Sequence, residues 1–226
     1  MMQDFPRLLA ASMGDDARIG FISFPRWLAF SPAKNDRDSG AALAKGGSPG
    51  STAASAENDL YSTACAKMAL VGAAGVALAP AVDEDPAGDG YTLPVGPRLS
   101  LSHSWAITAK EVSDKARGAV AVSRGSTVLL DGEGIYLDDV EVDGALSVTA
   151  GPGVRISLDG LKVKNAGWAF DRVAQDAADA TESEKIRGYS RRKVETAEIV
   201  VMEPGDYVVG ADGQPRAVDR DVGARQ

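Results

Sequence analysis

The sequence predicts a mixed α/β chain: a first part with a helix and a long loop, then a stack of short strands with the texture of a β-solenoid. Three observations carry this. Between residues 126 and 164, short β-prone runs alternate with turns at close intervals. Between 57 and 74, apolar residues recur at helical spacing. The acidic stretch 83–90, with Pro86 and two glycines, separates these textures and predicts a boundary between a domain of residues 1–90 and one of 91–226.

In chain order, the apolar runs 19–24 and 27–30 read as buried strands on either side of Pro25. Residues 34–55, rich in Gly, Ser, Asp and Ala, read as a long mobile loop. Leu60, Ala64, Met68 and Val71 then mark one face of a helix over 57–74. Ser55 is its expected N-cap, Glu57 and Asp59 stand at the positive end of its dipole, and Gly72 and Gly75 stop it.

The second domain opens a different rhythm. Runs at 128–130, 135–137, 140–142, 146–148, 154–156 and 161–163 are separated by Asp131-Gly132, Asp143-Gly144, Gly151-Pro152-Gly153 and Asp159-Gly160. Such spacing fits a small sandwich or a solenoid. Runs of about three residues are short for sandwich strands and natural for solenoid rungs, which favours the solenoid. Trp168 and Phe170 are expected to plug its end. Residues 176–184 read as a loop or short helix, 199–202 and 207–209 as a closing hairpin, and the tail from Gly210 as frayed.

Composition narrows the function. Of 226 residues, 44% are hydrophobic and 25% charged, as in ordinary globular proteins. A net charge of -8, from 24 basic and 32 acidic residues, opposes generic binding to nucleic acid or anionic lipid. Cys65 is the single cysteine, so a disulfide framework and a cysteine-built zinc site are excluded. The uncharged stretch 68–82 is too short to cross a membrane, and 8–11 is too short for a signal-peptide core. A cytoplasmic site is expected.

Ser31-Pro32-Ala33-Lys34-Asn35 is the sharpest local feature. It places a lysine where an apolar run opens into the Gly/Ser-rich stretch. A compact ammonium can meet phosphate oxygens there, with Asn35 beside it to donate or accept hydrogen bonds. Composition alone would make Lys34 an ordinary solvated lysine.

The longer segment Trp27-Leu28-Ala29-Phe30-Ser31-Pro32-Ala33-Lys34-Asn35 resembles a characteristic segment of UDP-sugar pyrophosphorylases, as does Met2-Gln3-Asp4-Phe5-Pro6 upstream. The resemblance continues in Asp143-Gly144-Ala145-Leu146, Asn165-Ala166-Gly167-Trp168, Ile186-Arg187-Gly188-Tyr189 and Glu203-Pro204-Gly205, and so covers nearly the whole chain. It implies the C-terminal part of a Rossmann-like nucleotidyltransferase domain, followed by a domain containing a short β-helix. It further implies UTP and a sugar 1-phosphate as substrates, with Mg²⁺ as cofactor. Lys34 would neutralise phosphate charge in the transition state, with Ser31 and Asn35 in the same phosphate-binding segment.

The departures from the family pattern matter too. Its Gly-Gly-x-Gly-Thr-Arg nucleotide loop precedes the lysine motif and is not found here. Gly46-Gly47-Ser48-Pro49-Gly50 follows the lysine and has no Thr-Arg element. Ala33 stands where a larger aliphatic residue is common. The chain is therefore expected to be an incomplete and inactive fragment, the other reading being a noncatalytic solenoid module for packing or oligomerisation. His103 is expected in a satisfied core or surface role and Cys65 in packing, and Arg187, Arg191, Arg192 and Lys193, flanked by Glu184 and Glu195, are expected to form a solvated basic face.

Overall fold

In a computed structural model, residues 4–24, 26–71, 75–86, 88 and 90–218 are described. Met2, Gln3, Pro25 and Gly72, which the sequence reading uses, lie outside them, as do part of the 83–90 stretch and residues 219–226. The chain divides into two units, Met1–Phe30 and Ser31–Gln226. In the first unit, α1 (Phe5–Met13) carries Pro6 in its first turn, where a missing N–H costs nothing, and ends at Gly14. A 3₁₀ turn Gly14–Asp16 follows, and α2 (Arg26–Ala29) closes the unit.

The strands expected over 19–24 and 27–30 are not formed. A strand needs a partner for its N–H and C=O groups, and no described strand pairs with 19–24, where Phe21 and Ile22 are 94% and 80% exposed. The second run is mostly helical, because a short apolar run does not by itself choose between helix and strand.

In the second unit, α3 (Arg37–Lys45) occupies part of the stretch expected to be loop. Asp36 caps it by accepting the Ser39 N–H at 2.8 Å, and the run Ala41 to Ala44 supplies good helix formers. The next helix, α4 (Ala53–Val71), begins before the predicted start. Its cap is Thr52 rather than Ser55: the Ser55 N–H donates to Thr52 Oγ1 at 3.1 Å while the Thr52 N–H donates to Ser55 Oγ at 2.9 Å. Of the predicted face, Ala64 and Met68 are buried and Leu60 is 69% exposed. The buried stripe continues instead through Ala54 and Asn58, because Asn58 Nδ2 meets the Pro94 carbonyl at 3.1 Å.

Next come β1 (Val76–Leu78), the antiparallel pair β2 (Val82–Glu84) and β3 (Leu93–Val95), β4 (Arg98–Leu101) and α5 (Ala109–Lys115). A capping box between Thr108 and Glu111 starts α5. Each of the six predicted short runs then becomes a strand: β5 (Val120–Val122) precedes β6 (Thr127–Asp131), β7 (Ile135–Asp138), β8 (Val140–Asp143), β9 (Ala145–Ala150), β10 (Val154–Asp159) and β11 (Lys162–Lys164).

Consecutive strands in this run do not pair. Each pairs in parallel with the strand three places on: β5 with β8, β6 with β9, β7 with β10 and β8 with β11. The chain then leaves on an excursion through β12 (Trp168–Arg172), α6 (Glu182–Arg187) and β13 (Tyr189–Lys193). It returns with β14 (Ala197–Val201) on β9 and β15 (Gly205–Val209) on β10. Three parallel sheets, β1-β5-β8-β11, β4-β6-β9-β14 and β7-β10-β15, are thus visited in a repeating order.

The registers align apolar residues in columns. Leu130, Val148 and Ile199 stack in one sheet, Ile135, Ile156 and Tyr207 in another, and Val122, Val142 and Val163 in the third. Each fully buried aliphatic side chain contributes about 1.5 to 3 kcal/mol, and only stacking on neighbours can bury it. The recurrent Asp-Gly pairs turn the corners: Gly132, Gly144 and Gly160 have φ of 125°, 133° and 67°, a region open chiefly to glycine.

The excursion and the C-terminal strands correct further expectations. Strands β14 and β15 belong to different sheets and form no hairpin, because the corner at Glu203-Pro204-Gly205 carries the chain onward rather than back. The tail adds β16 (Pro215–Ala217) antiparallel to β15. Trp168 and Phe170 lie half-buried on β12, and Phe170 packs with Tyr189 and Leu93 in a second cluster rather than in the one that fills the stack. Fully buried Trp105 lies against β7 instead, its Nε1 donating to the Ile135 carbonyl at 3.0 Å. No helix among the described residues is long and apolar enough to cross a membrane.

Candidate functional site

The segment Ser31 to Asn35 has no regular secondary structure, so its position depends on individual polar contacts. Ser31 Oγ donates to Asp59 Oδ2 on α4 at 2.8 Å. The N–H groups of Lys34 and Asn35 both donate to the Ser51 carbonyl, at 2.8 and 3.1 Å, and Asn35 Nδ2 donates to the Gly50 carbonyl at 2.8 Å. Ser51 itself is in the left-handed region at φ 50°, which turns its carbonyl toward both amides.

Two glycines make this fold-back close. A Cβ on Gly40 would lie 2.2 Å from Thr52 Cγ2, and one on Gly50 would lie 2.3 Å from the Tyr91 hydroxyl. Their enrichment here therefore reflects close packing of α3 against the 50–52 turn. All three predicted site residues thus share one ordered segment. Asn35 is half-buried, Ser31 and Lys34 are exposed, and the Lys34 side chain reaches solvent. Next to it, the hydrogen bonds from Ser39 hold the Asp36 carboxyl below its ordinary pKa, so a fixed negative charge caps α3.

The basic cluster, running from the end of α6 into β13, is only partly a solvated face. Arg192 meets Asp171 at 3.4 Å and Lys193 meets Glu198 at 3.0 Å, with more than half of each side chain exposed. Arg187, by contrast, is largely buried and meets Glu57 of α4 at 3.2 Å. Arg191 approaches the other Glu57 oxygen at 3.6 Å, and the Tyr61 hydroxyl donates to it at 2.8 Å. The sequence showed Glu184 and Glu195 as neighbours of these arginines, whereas the partner comes from 130 residues upstream. Burial first, and the Glu57 charge second, push the phenols of Tyr61 and Tyr189 up.

A cavity of about 530 Å³ opens beside this cluster, lined by Glu57, Tyr61, Lys67, Leu99, His103 and Arg191 among others. It combines an apolar floor with cationic side chains, and Glu57, its acid, is already engaged by two arginines. His103 is exposed on its wall, the surface position of the two expected of it. Cys65 is half-buried with Sγ 3.2 Å from the Pro97 carbonyl, and burial pushes its thiol up to about 11, which removes it as a thiolate nucleophile near neutral pH.

Among the described residues, no group of three or more His, Cys, Asp or Glu side chains is arranged to hold a metal ion. The described acids therefore do not by themselves fit a Mg²⁺ site.

No family model matches the sequence. Among curated proteins, it is 31% identical over 209 residues to a UDP-sugar pyrophosphorylase of Arabidopsis thaliana, covering 92% of this chain and 32% of that protein. UDP-sugar pyrophosphorylases of Oryza sativa, subspecies indica and japonica, are each 30% identical over 200 residues, covering 88% of this chain and 30% of theirs. The chain thus spans about a third of the length of the curated relatives it matches.

Proposed function

Because its sequence relatives are UDP-sugar pyrophosphorylases, we propose that this chain is the C-terminal portion of a UTP-dependent uridylyltransferase that makes UDP-sugars from sugar 1-phosphates and releases pyrophosphate. The observation that carries the proposal is similarity over nine-tenths of the chain, from the Lys34 segment into the last strands. In this reading residues 1–90 belong to a Rossmann-like nucleotidyltransferase domain and 91–226 form a domain built on a short β-helix. The repeating visit to three parallel sheets supports that second assignment.

In the reaction an oxygen of the sugar phosphate attacks the α-phosphorus of UTP. A P–O bond forms as the bond to the leaving pyrophosphate breaks, and negative charge accumulates on the phosphate oxygens. Lys34 is proposed to neutralise that charge. Its exposed side chain on a backbone fixed by the Ser51 carbonyl supports the role, because a cation already in position needs no reorganisation as the charge develops. Ser31 and Asn35 keep the segment in place through Asp59 and Gly50. Mg²⁺, which would help to neutralise phosphate charge, receives no site from the described acids, so the proposal places its ligands elsewhere in the enzyme. The reading puts the enzyme in the cytoplasm.

The test is pyrophosphate release by the purified, folded chain given UTP, glucose 1-phosphate and Mg²⁺. The expected result is no release above background, since the nucleotide loop is not in this sequence. Release that disappears in Lys34→Ala would overturn the claim that the chain is an incomplete enzyme.

A further inference from the structure

Lys34 is exposed, yet three residues on, Arg37 is only 7% exposed, an uncommon position for a guanidinium. Its Nη1 donates to the Val173 carbonyl at 3.3 Å, 136 residues away in the chain. Its guanidinium also lies over Gly188, where a Cβ would come 2.5 Å from Arg37 Cζ and 2.6 Å from Nη1. Gly188 is the left-handed cap of α6, at φ 87° and ψ 6°. Glycine is needed there twice over, for the backbone angle and for the space Arg37 occupies.

The platform under Arg37 is itself tied down. A capping box between Thr181 and Glu184 starts α6, and Arg187 at its other end is paired with Glu57 on α4. Val173 N–H donates to the Gly188 carbonyl at 2.9 Å, joining the two residues that hold Arg37. All of these but Glu57 lie on the 168–193 excursion, which interrupts the repeating visit to the sheets without breaking their registers. With two residues between Lys34 and Arg37, the two Cα atoms can be at most about 11 Å apart, so fixing Arg37 limits where the lysine can stand.

We propose that the 168–193 excursion is the seat of the Lys34 segment, and that Arg37, clamped between the Val173 carbonyl and Gly188, is the positioning residue that sets where the Lys34 ammonium is presented. This rests on the reading of Lys34 as a phosphate contact. The excursion then serves the site from the far end of the sequence, while the sheets around it serve stability.

Amide hydrogen exchange on the 226-residue chain tests this residue by residue. Arg37→Ala and Gly188→Ala should each speed exchange at Lys34 and Asn35 about tenfold or more while amides in β9 and β10 keep their rates. Unchanged exchange at Lys34 and Asn35 in Arg37→Ala would overturn the proposal. So would an equal acceleration in β9 and β10, which would reduce Arg37 to general support of the fold. The underlying reading fails separately: Lys34→Ala with unaltered turnover in an active, longer enzyme removes the phosphate role, whatever the exchange rates show.

Discussion

Ile156 and Lys34 stand for two ways of fixing a residue. Ile156 has no exposed surface and sits between Ile135 and Tyr207 in a parallel column. Lys34 sits on irregular backbone, held by the Ser51 carbonyl with Asn35, Asp36 and Arg37 each anchored to a different partner. The first arrangement shares its energy among many contacts of one kind. The second depends on single bonds of distinct kinds, and it leaves Lys34 at the exposed surface.

The sharpest way to break this comparison is to remove side-chain volume. Ile156→Ala is expected to cost about 2 to 5 kcal/mol, because a filled column leaves a cavity that its neighbours only partly close. Leu60→Ala, at a position 69% exposed despite its helical spacing with Ala64 and Met68, should stay within about 0.5 kcal/mol. Denaturant midpoints of the two variants measure the difference. Equal losses would mean that the columns do not carry the stability assigned to them.

Acid sharpens the comparison with a smaller effect, because it acts on caps and spares apolar columns. Glu111 is held down to about 2 by hydrogen bonds from the Thr108 and Ile107 N–H groups, against an ordinary 4.5. A depressed folded pKa means stability that is present above 4.5 and is lost as pH falls toward 2. Glu111→Gln should therefore flatten the acid limb of the stability profile between those values. A limb of unchanged slope would show that the α5 cap contributes nothing there. Asp36 and Glu184 are lowered in the same direction by the same kind of bond, from Ser39 and Thr181 respectively.

What the sequence made legible follows the same line. The strands from β6 to β11 could be read because Val, Ile and Leu recur in short runs between Asp-Gly corners, a pattern that predicts strands and turns. Helix α3 was hidden because Gly40 and Gly46 look like loop residues, while their reasons, Thr52 packing and helix termination, are visible only in space. The expected hairpin failed because residues separated by a turn signal can pair with strands far back in the chain as readily as with each other.

Around the candidate site, Ser31, Lys34 and Asn35 were singled out through resemblance, while the Ser51 carbonyl and Asp59 that hold their segment were not. Arg37 and Gly188 were not, although Gly188 stands in the quoted motif Ile186-Arg187-Gly188-Tyr189. Their relation spans most of the chain, and neither residue type predicts the other. Within the basic cluster only Arg187 was misread, for the same reason: Glu57, which pairs with it, gives no local signal near residue 187.

The proposal with most at stake is that Lys34 is a phosphate contact of a uridylyltransferase site whose nucleotide loop is not in this sequence. Its most direct test is pyrophosphate release from UTP and glucose 1-phosphate by this chain extended with the upstream portion of its Arabidopsis relative, with and without Lys34→Ala. The account predicts an active parent and a turnover lower by about a hundredfold in the variant, the usual scale for removing one transition-state charge contact. Equal turnover in the two proteins would contradict it.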